Sequence, residues 1–69
     1  MINKLGLYET RDGRVVAITK IYQSQPIAEG ILDQKTYVWM TDGRVDKWKD
    51  TPRDIVRFIS DWDTAYDTD

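Results

Sequence analysis

TRDGRV at residues 10–15 and TDGRV at residues 41–45 place the same Asp-Gly-Arg-Val tetrapeptide in the chain twice. Asp-Gly is typical of tight hairpin turns, because glycine adopts a positive φ without steric cost. β-Branched and aromatic residues are frequent on both sides of each repeat, as they are in strands. The repeat therefore predicts two hairpin turns, from which the rest of the fold can be worked outward.

Five strand-like runs surround these turns. Four of them flank the repeats, at residues 5–10, 14–22, 36–41 and 44–48. The fifth begins at Pro26 and ends at Leu32, and proline suits the start of a strand because it has no N–H for the ladder. Gly30 inside this run indicates a bulge or a bend. Together the runs predict a five-stranded antiparallel β-meander, curled toward a small half-barrel.

The sequence changes character at TPRD, residues 51–54. Thr51 suits a helix N-cap, Pro52 the first helical position, and Asp54 a side chain that reaches back to the cap. Apolar residues then follow at helical spacing, namely Ile55, Val56, Phe58, Ile59 and Trp62. This pattern predicts a C-terminal amphipathic helix over residues 51–62. The expected class is α+β, with one domain at 1–62 and an acidic, frayed tail at 63–69.

The predicted core takes apolar side chains from the strands and from the inner face of the helix. Its expected members are Leu5, Leu7, Val16, Ile18, Ile27, Ile31, Trp39, Val45, Ile55, Ile59 and Trp62. Because Ile59 lies on the docked face of the predicted helix, its replacement by aspartate is expected to unfold the domain.

Composition narrows the range of functions. The chain contains no cysteine and no histidine, so it lacks a thiol nucleophile and the commonest general base and zinc ligand. Its glycines stand singly, without the pattern of a phosphate-binding loop. We therefore expect a non-enzymatic protein and assign no catalytic, cofactor-binding or metal-binding residue. No apolar run approaches the ~18 residues of a membrane span, and we expect a cytoplasmic protein without a membrane partner.

Cationic and aromatic residues gather around the two repeats. The predicted partner-binding residues are Arg11, Arg14, Arg44, Lys47, Trp48 and Lys49. Cations beside exposed aromatics form stacking platforms for single-stranded nucleic acid, but the same pattern arises when charges solvate a sheet and aromatics fill its core. Trp48 is expected at a sheet edge or rim. The small core and the edge strands leave a monomer and a homodimer both open.

YETRDGR at residues 8–14, PI at 26–27 and WMTDGR at 39–44 together resemble a group of short phage and prophage proteins. Members share a Y-x-T-R-D-G-R start, a proline-led apolar strand and a second D-G-R. The resemblance covers roughly residues 5–58, and the group is uncharacterised, so it implies no catalytic residue. It implies a phage-type accessory protein that binds and modulates a bacterial host or defence-system protein. A nucleic-acid-binding module that uses the basic and aromatic residues is the alternative.

Overall fold

The structure, a computed structural model, describes residues 1–61 as a five-stranded antiparallel open sheet. The strands are β1 (Gly6–Thr10), β2 (Val15–Ile21), β3 (Ile27–Leu32), β4 (Lys35–Met40) and β5 (Ile55–Ser60). Their order across the sheet is β4-β3-β2-β1-β5. The first four strands form the predicted meander, while the curl toward a half-barrel stays a prediction. Residues 1–61 include no helix, and so none that could cross a membrane.

Both repeats form the same tight turn. At the first, the Thr10 N–H donates to the Arg14 carbonyl at 2.8 Å and the Gly13 N–H to the Thr10 carbonyl at 3.0 Å. At the second, the equivalent bonds from Met40 and Gly43 measure 2.9 and 2.8 Å. Gly13 and Gly43 have φ angles of 89° and 94°. The two turns that the Asp-Gly pairs predict are therefore confirmed.

Only the first turn joins two strands, and the strand predicted at residues 44–48 is wrong. Residues 44–50 form an irregular loop instead, which we call the 44–50 loop. Aspartate side chains occupy its backbone donors: the Arg44 N–H donates to Asp42 Oδ1 at 3.0 Å, and the Trp48 N–H to Asp46 Oδ1 at 2.8 Å. Such local bonds compete with a strand ladder, which is why β-type composition does not produce a strand here.

The predicted helix over residues 51–62 is also wrong for the residues described, because β5 occupies much of it. The turn that was predicted to begin this helix, at residues 51–54, nevertheless forms. The Asp54 N–H donates to the Thr51 carbonyl at 3.1 Å, and Asp54 accepts from the Thr51 N–H and hydroxyl at 3.0 and 2.8 Å. The chain then extends instead of winding on. The described residues are therefore all-β, and the predicted α+β class is corrected to that extent.

Pairing of β5 with β1 explains why the apolar spacing was misleading. The β1–β5 ladder contains two register shifts, and the residues left unpaired on β5 are Val56 and Ile59. Bulges of this kind interrupt the period of two that marks a strand. The apolar residues of β5 therefore mimic helical spacing. Phe58 is held by the core, where its ring makes an edge contact with Tyr8 at 5.2 Å between centroids.

The core lies on one face of the sheet. Its buried apolar members are Ile2, Tyr8, Val16, Ile18, Ala28, Leu32, Trp39 and Ile55. The sequence predicted four of these core members, namely Val16, Ile18, Trp39 and Ile55. Three other predicted core residues are half-buried, namely Leu7, Ile27 and Val45. The predicted Leu5, Ile31 and Ile59 are exposed. Trp62 and the tail at 63–69 lie outside the described residues.

The inward-facing residues of β3 explain the error at Ile31. The core side of β3 is formed by Ala28, Gly30 and Leu32. Because side chains alternate along a strand, Ile27 and Ile31 lie on the opposite face of the sheet. A Cβ on Gly30 would stand 2.7 Å from the Ala17 carbonyl oxygen and 2.9 Å from a methyl of Ile18, so the backbone and side chains of β2 already fill that space. The space available between the strands therefore decides that the small residues of β3 face the core. The alternation within a single strand does not reveal how much space there is.

Ile59→Asp is expected to keep a cooperative melt and to lower the free energy of unfolding by about 1 to 2 kcal/mol. The Ile59 side chain is 37% exposed on an edge strand, so a carboxylate there remains solvated. Urea unfolding of the variant beside the parent measures the effect. Loss of the cooperative transition would show that residue 59 packs inside the domain after all.

Candidate functional site

The 44–50 loop connects the second turn to the Thr51–Asp54 turn and carries most of the predicted partner-binding residues. Arg44, Lys47, Trp48 and Lys49 lie on it, whereas Arg11 and Arg14 come from the first turn. The two turns approach each other across the start of β5. The Arg11 N–H donates to the Asp54 carbonyl at 2.7 Å, and the Ile55 N–H donates to the Gly43 carbonyl at 2.8 Å.

Asp54 anchors both ends of the 44–50 loop. The residue is 1% exposed, and its carboxylate accepts from the Val45 N–H at 3.1 Å as well as from Thr51. The Arg11 guanidinium donates to the same carboxylate at 3.2 Å. Burial raises the pKa of Asp54, but the bonds from Thr51, Val45 and Arg11 outweigh it and lower the pKa to about 2. The carboxylate is therefore charged and fully hydrogen-bonded at neutral pH.

Asp50 draws two of the predicted arginines together. Its Oδ1 atom lies 3.3 Å from Arg44 Nη1 and 3.6 Å from Arg11 Nη2. Arg44 also donates from Nε to the Asp46 carbonyl at 3.1 Å, within the loop itself. These bonds hold the far side of the 44–50 loop against the first turn. The sequence did not single out Asp50, whose only signal was its place in a mixed-charge segment.

Arg14 does not join this group. Its guanidinium lies 2.9 Å from Asp12 and 2.7 Å from Asp33, and so links the β1–β2 turn to the β3–β4 turn. A side-chain hydrogen bond from Arg14, followed by one from Thr10, lowers the pKa of Asp12. Arg14 therefore has an acidic partner in each of these turns and shares none of the aspartates that bind Arg11 and Arg44.

Trp48 is the outstanding feature of the loop, because its side chain is 86% exposed. The residue lies in the loop and not in a strand, and Lys47 Nζ lies 5.6 Å from the centroid of its ring. Trp39, in contrast, is 1% exposed and donates from its indole N–H to the Arg53 carbonyl at 2.8 Å. Tyr8 is buried as well. Core packing thus accounts for these aromatics of the strands but not for Trp48.

Charge around the site is largely compensated. Each of the three predicted arginines lies within 3.6 Å or less of at least one aspartate. Within residues 1–61, Lys47 and Lys49 form no ion pair and are exposed. The arrangement therefore presents an aromatic ring with the Lys47 ammonium group near it, a second exposed lysine next to Trp48 in the chain, and arginines whose charges are paired with aspartates. No group of three or more carboxylates in this part of the chain is placed to share a metal ion.

Comparison of the chain with protein-family models, with curated proteins and with solved structures finds no match in any of the three.

Proposed function

We propose that this protein is a non-enzymatic binding module that contacts another protein through the 44–50 loop, with Trp48 at the centre of the contact. The observation that carries the proposal is the 86% exposure of Trp48 on a loop whose ends are fixed. Tryptophan side chains are highly buried on average in folded proteins, so the exposure of Trp48 is unusual for its residue type. Tryptophan is also among the residues that contribute most to protein–protein affinity.

The anchoring of the loop supports the same function. A binding loop that is already ordered loses less conformational entropy when it meets its partner. Asp54 and Asp50 supply that order here, since they hold Val45, Thr51, Arg11 and Arg44. The loop therefore presents Trp48 from a rigid base.

The partner class rests on the sequence resemblance to short phage and prophage proteins. A protein of that type acts in the cytoplasm of a bacterium, and the proposed partner is a host or defence-system protein that it modulates. Lys47 near the ring and Lys49 next to Trp48 in the chain favour an acidic rim on that partner, because complementary charge at the rim of an interface aids encounter.

Nucleic acid remains the alternative partner, favoured by the exposed indole and by its chain neighbours Lys47 and Lys49, which form no ion pair within residues 1–61. Because the arginines are bound to aspartates, only about two phosphate contacts are expected, and a log–log salt slope of about −1.4 to −1.8 follows. Binding to a protein partner should instead persist at moderate salt concentration and depend on the Trp48 ring.

A pull-down from bacterial lysate, with and without nuclease, tests the proposal. We expect a stoichiometric protein that survives nuclease treatment, and we expect Trp48→Ala to reduce its recovery at least about tenfold. Val15→Ala is the matched control, since Val15 is also an exposed apolar residue, 53% exposed, but lies on β2. Equal recovery by Trp48→Ala and the parent, or loss of all bound material on nuclease treatment, would overturn the proposal.

A further inference from the structure

The two edges of the sheet differ in how they are protected. β5 carries two bulges, and Arg57 in its middle forms an ion pair with Glu9 of β1. Bulges and charges are the usual means by which proteins prevent edge-to-edge pairing. β4 pairs with β3 without a register shift over all six residues. Its central residues, TYVW at 36–39, include neither a charge nor a proline. β4 is therefore the open edge.

Two residues of β4 direct their backbone N–H and C=O groups away from β3, toward the open edge of the sheet. Asp33 and Gln34 have φ angles of 53° and 67°, as in a two-residue turn closed by a hydrogen-bonded pair. Hydrogen-bonded pairs then recur at every second residue, and the bond from the Thr41 N–H to the Pro26 carbonyl, at 2.9 Å, continues this series. Thr36 and Val38 fall between these pairs. Their N–H and C=O groups consequently face away from β3, and no bond to them occurs within residues 1–61.

We infer that β4 is a docking edge for a second copy of this chain, paired antiparallel about a two-fold axis through Tyr37. The inference is independent of the proposed function, which concerns the 44–50 loop. In this register Thr36 of one copy faces Val38 of the other, and the reverse, so all the outward groups of both residues are paired. A two-fold centred on Val38 would instead require Met40, whose N–H already donates to Arg44.

The side chains fit this register. Val38 is 50% exposed, and Thr36 beside it is exposed too, so Thr36–Val38 pairs extend the outer face of the sheet. Lys35 stands opposite Trp39 of the second copy, which keeps the two lysines from facing each other across the pair. The tyrosines at residue 37 meet on the core side, where Arg53 already lies 4.4 Å from the ring centroid. The edge is therefore self-complementary in its backbone groups, and no residue of β4 in this register faces a like charge on the other copy.

Sedimentation velocity over about two decades of concentration, up to about 1 mM, tests the inference. We expect the mass of the parent to rise from the 8.1 kDa of one chain toward twice that value. Val38→Lys should remain at one chain mass throughout, because it places a charge on the edge. Val15→Lys is the matched control and should assemble like the parent, since Val15 is equally exposed but lies on the interior strand β2.

Val38→Pro provides a second variant that removes the outward N–H and leaves the ladder with β3 intact. It should also stay at one chain mass. Amide exchange gives an independent readout, in which protection of Thr36 and Val38 increases with concentration while that of Val56 on β5 does not. A parent that stays at 8.1 kDa at every concentration, or variants at residue 38 that assemble as readily as Val15→Lys, would overturn the inference. Concentration-dependent protection on β5 alone would do the same.

Discussion

Gly43→Ala is expected to lower the free energy of unfolding by about 3 to 4 kcal/mol, whereas Gly13→Ala lowers it by only about 1 kcal/mol. The two glycines occupy the same position of the same turn, with φ angles of 94° and 89°. A side chain at either one strains the backbone by a similar amount. The difference therefore comes from what surrounds each turn.

A Cβ on Gly13 would meet nothing within 4 Å, while one on Gly43 would overlap the Ile55 carbonyl oxygen. Gly43 is buried at the point where its own carbonyl accepts the Ile55 N–H at 2.8 Å. Relief of the overlap must move the backbone and weaken that bond. Gly43→Ala should thus detach the second turn from the start of β5.

Urea unfolding of the two variants measures the contrast, and Gly13→Ala serves as the control for the cost of a positive φ alone. Equal destabilisation by both substitutions would show that the approach of Gly43 to Ile55 contributes nothing. A small effect of both would contradict the tight-turn geometry itself.

Asp54→Asn is expected to lower the free energy of unfolding by about 3 kcal/mol at neutral pH. The carboxylate accepts from Val45, Thr51 and Arg11 through both of its oxygens. An asparagine offers one acceptor oxygen, so its amide N–H₂ must face donors on one side. The loss of charge also leaves Arg11 without its buried partner.

The Asp54 carboxylate also makes the free energy of unfolding depend on pH. Its pKa falls from 3.8 to about 2 on folding, which corresponds to about 2 kcal/mol of stability. Because the folded pKa is the lower one, this contribution is complete above about pH 5 and is lost as the pH falls from about 4 to about 2. Asp54→Asn should remove this part of the acid dependence.

Asp50→Asn is the matched control, since Asp50 also pairs with Arg11 but its side chain is 65% exposed. An exposed ion pair of this kind is worth about 0 to 1 kcal/mol. Chemical denaturation between about pH 2 and pH 7 compares the three proteins. If Asp54→Asn and Asp50→Asn behave alike, Asp54 is not the anchor of the 44–50 loop. If it is the anchor, Asp54→Asn should also weaken capture of the partner, although Trp48 is untouched.

The sequence by itself determined the features that depend on neighbouring residues. The Asp-Gly pairs specify both turns, because the positive φ at Gly13 and Gly43 is a property of glycine in its local chain. The alternation around β2 likewise places Val16 and Ile18 in the core. TPRD specifies one turn closed by Thr51 and Asp54, and that turn is present.

Tertiary structure decided how the chain continues after each of these local signals. Winding residues 55–60 into a helix would leave the edge of β1 unpaired, whereas β5 satisfies that edge through partners about fifty residues away in the chain. The capping residue Asp54 became a buried anchor for the same reason, since only the folded chain brings it to Val45 and Arg11. The alternation of strand residues placed Trp39 in the core and Trp48 at a rim, but the degree to which Trp48 is exposed follows from the 44–50 loop, which replaces the strand predicted there.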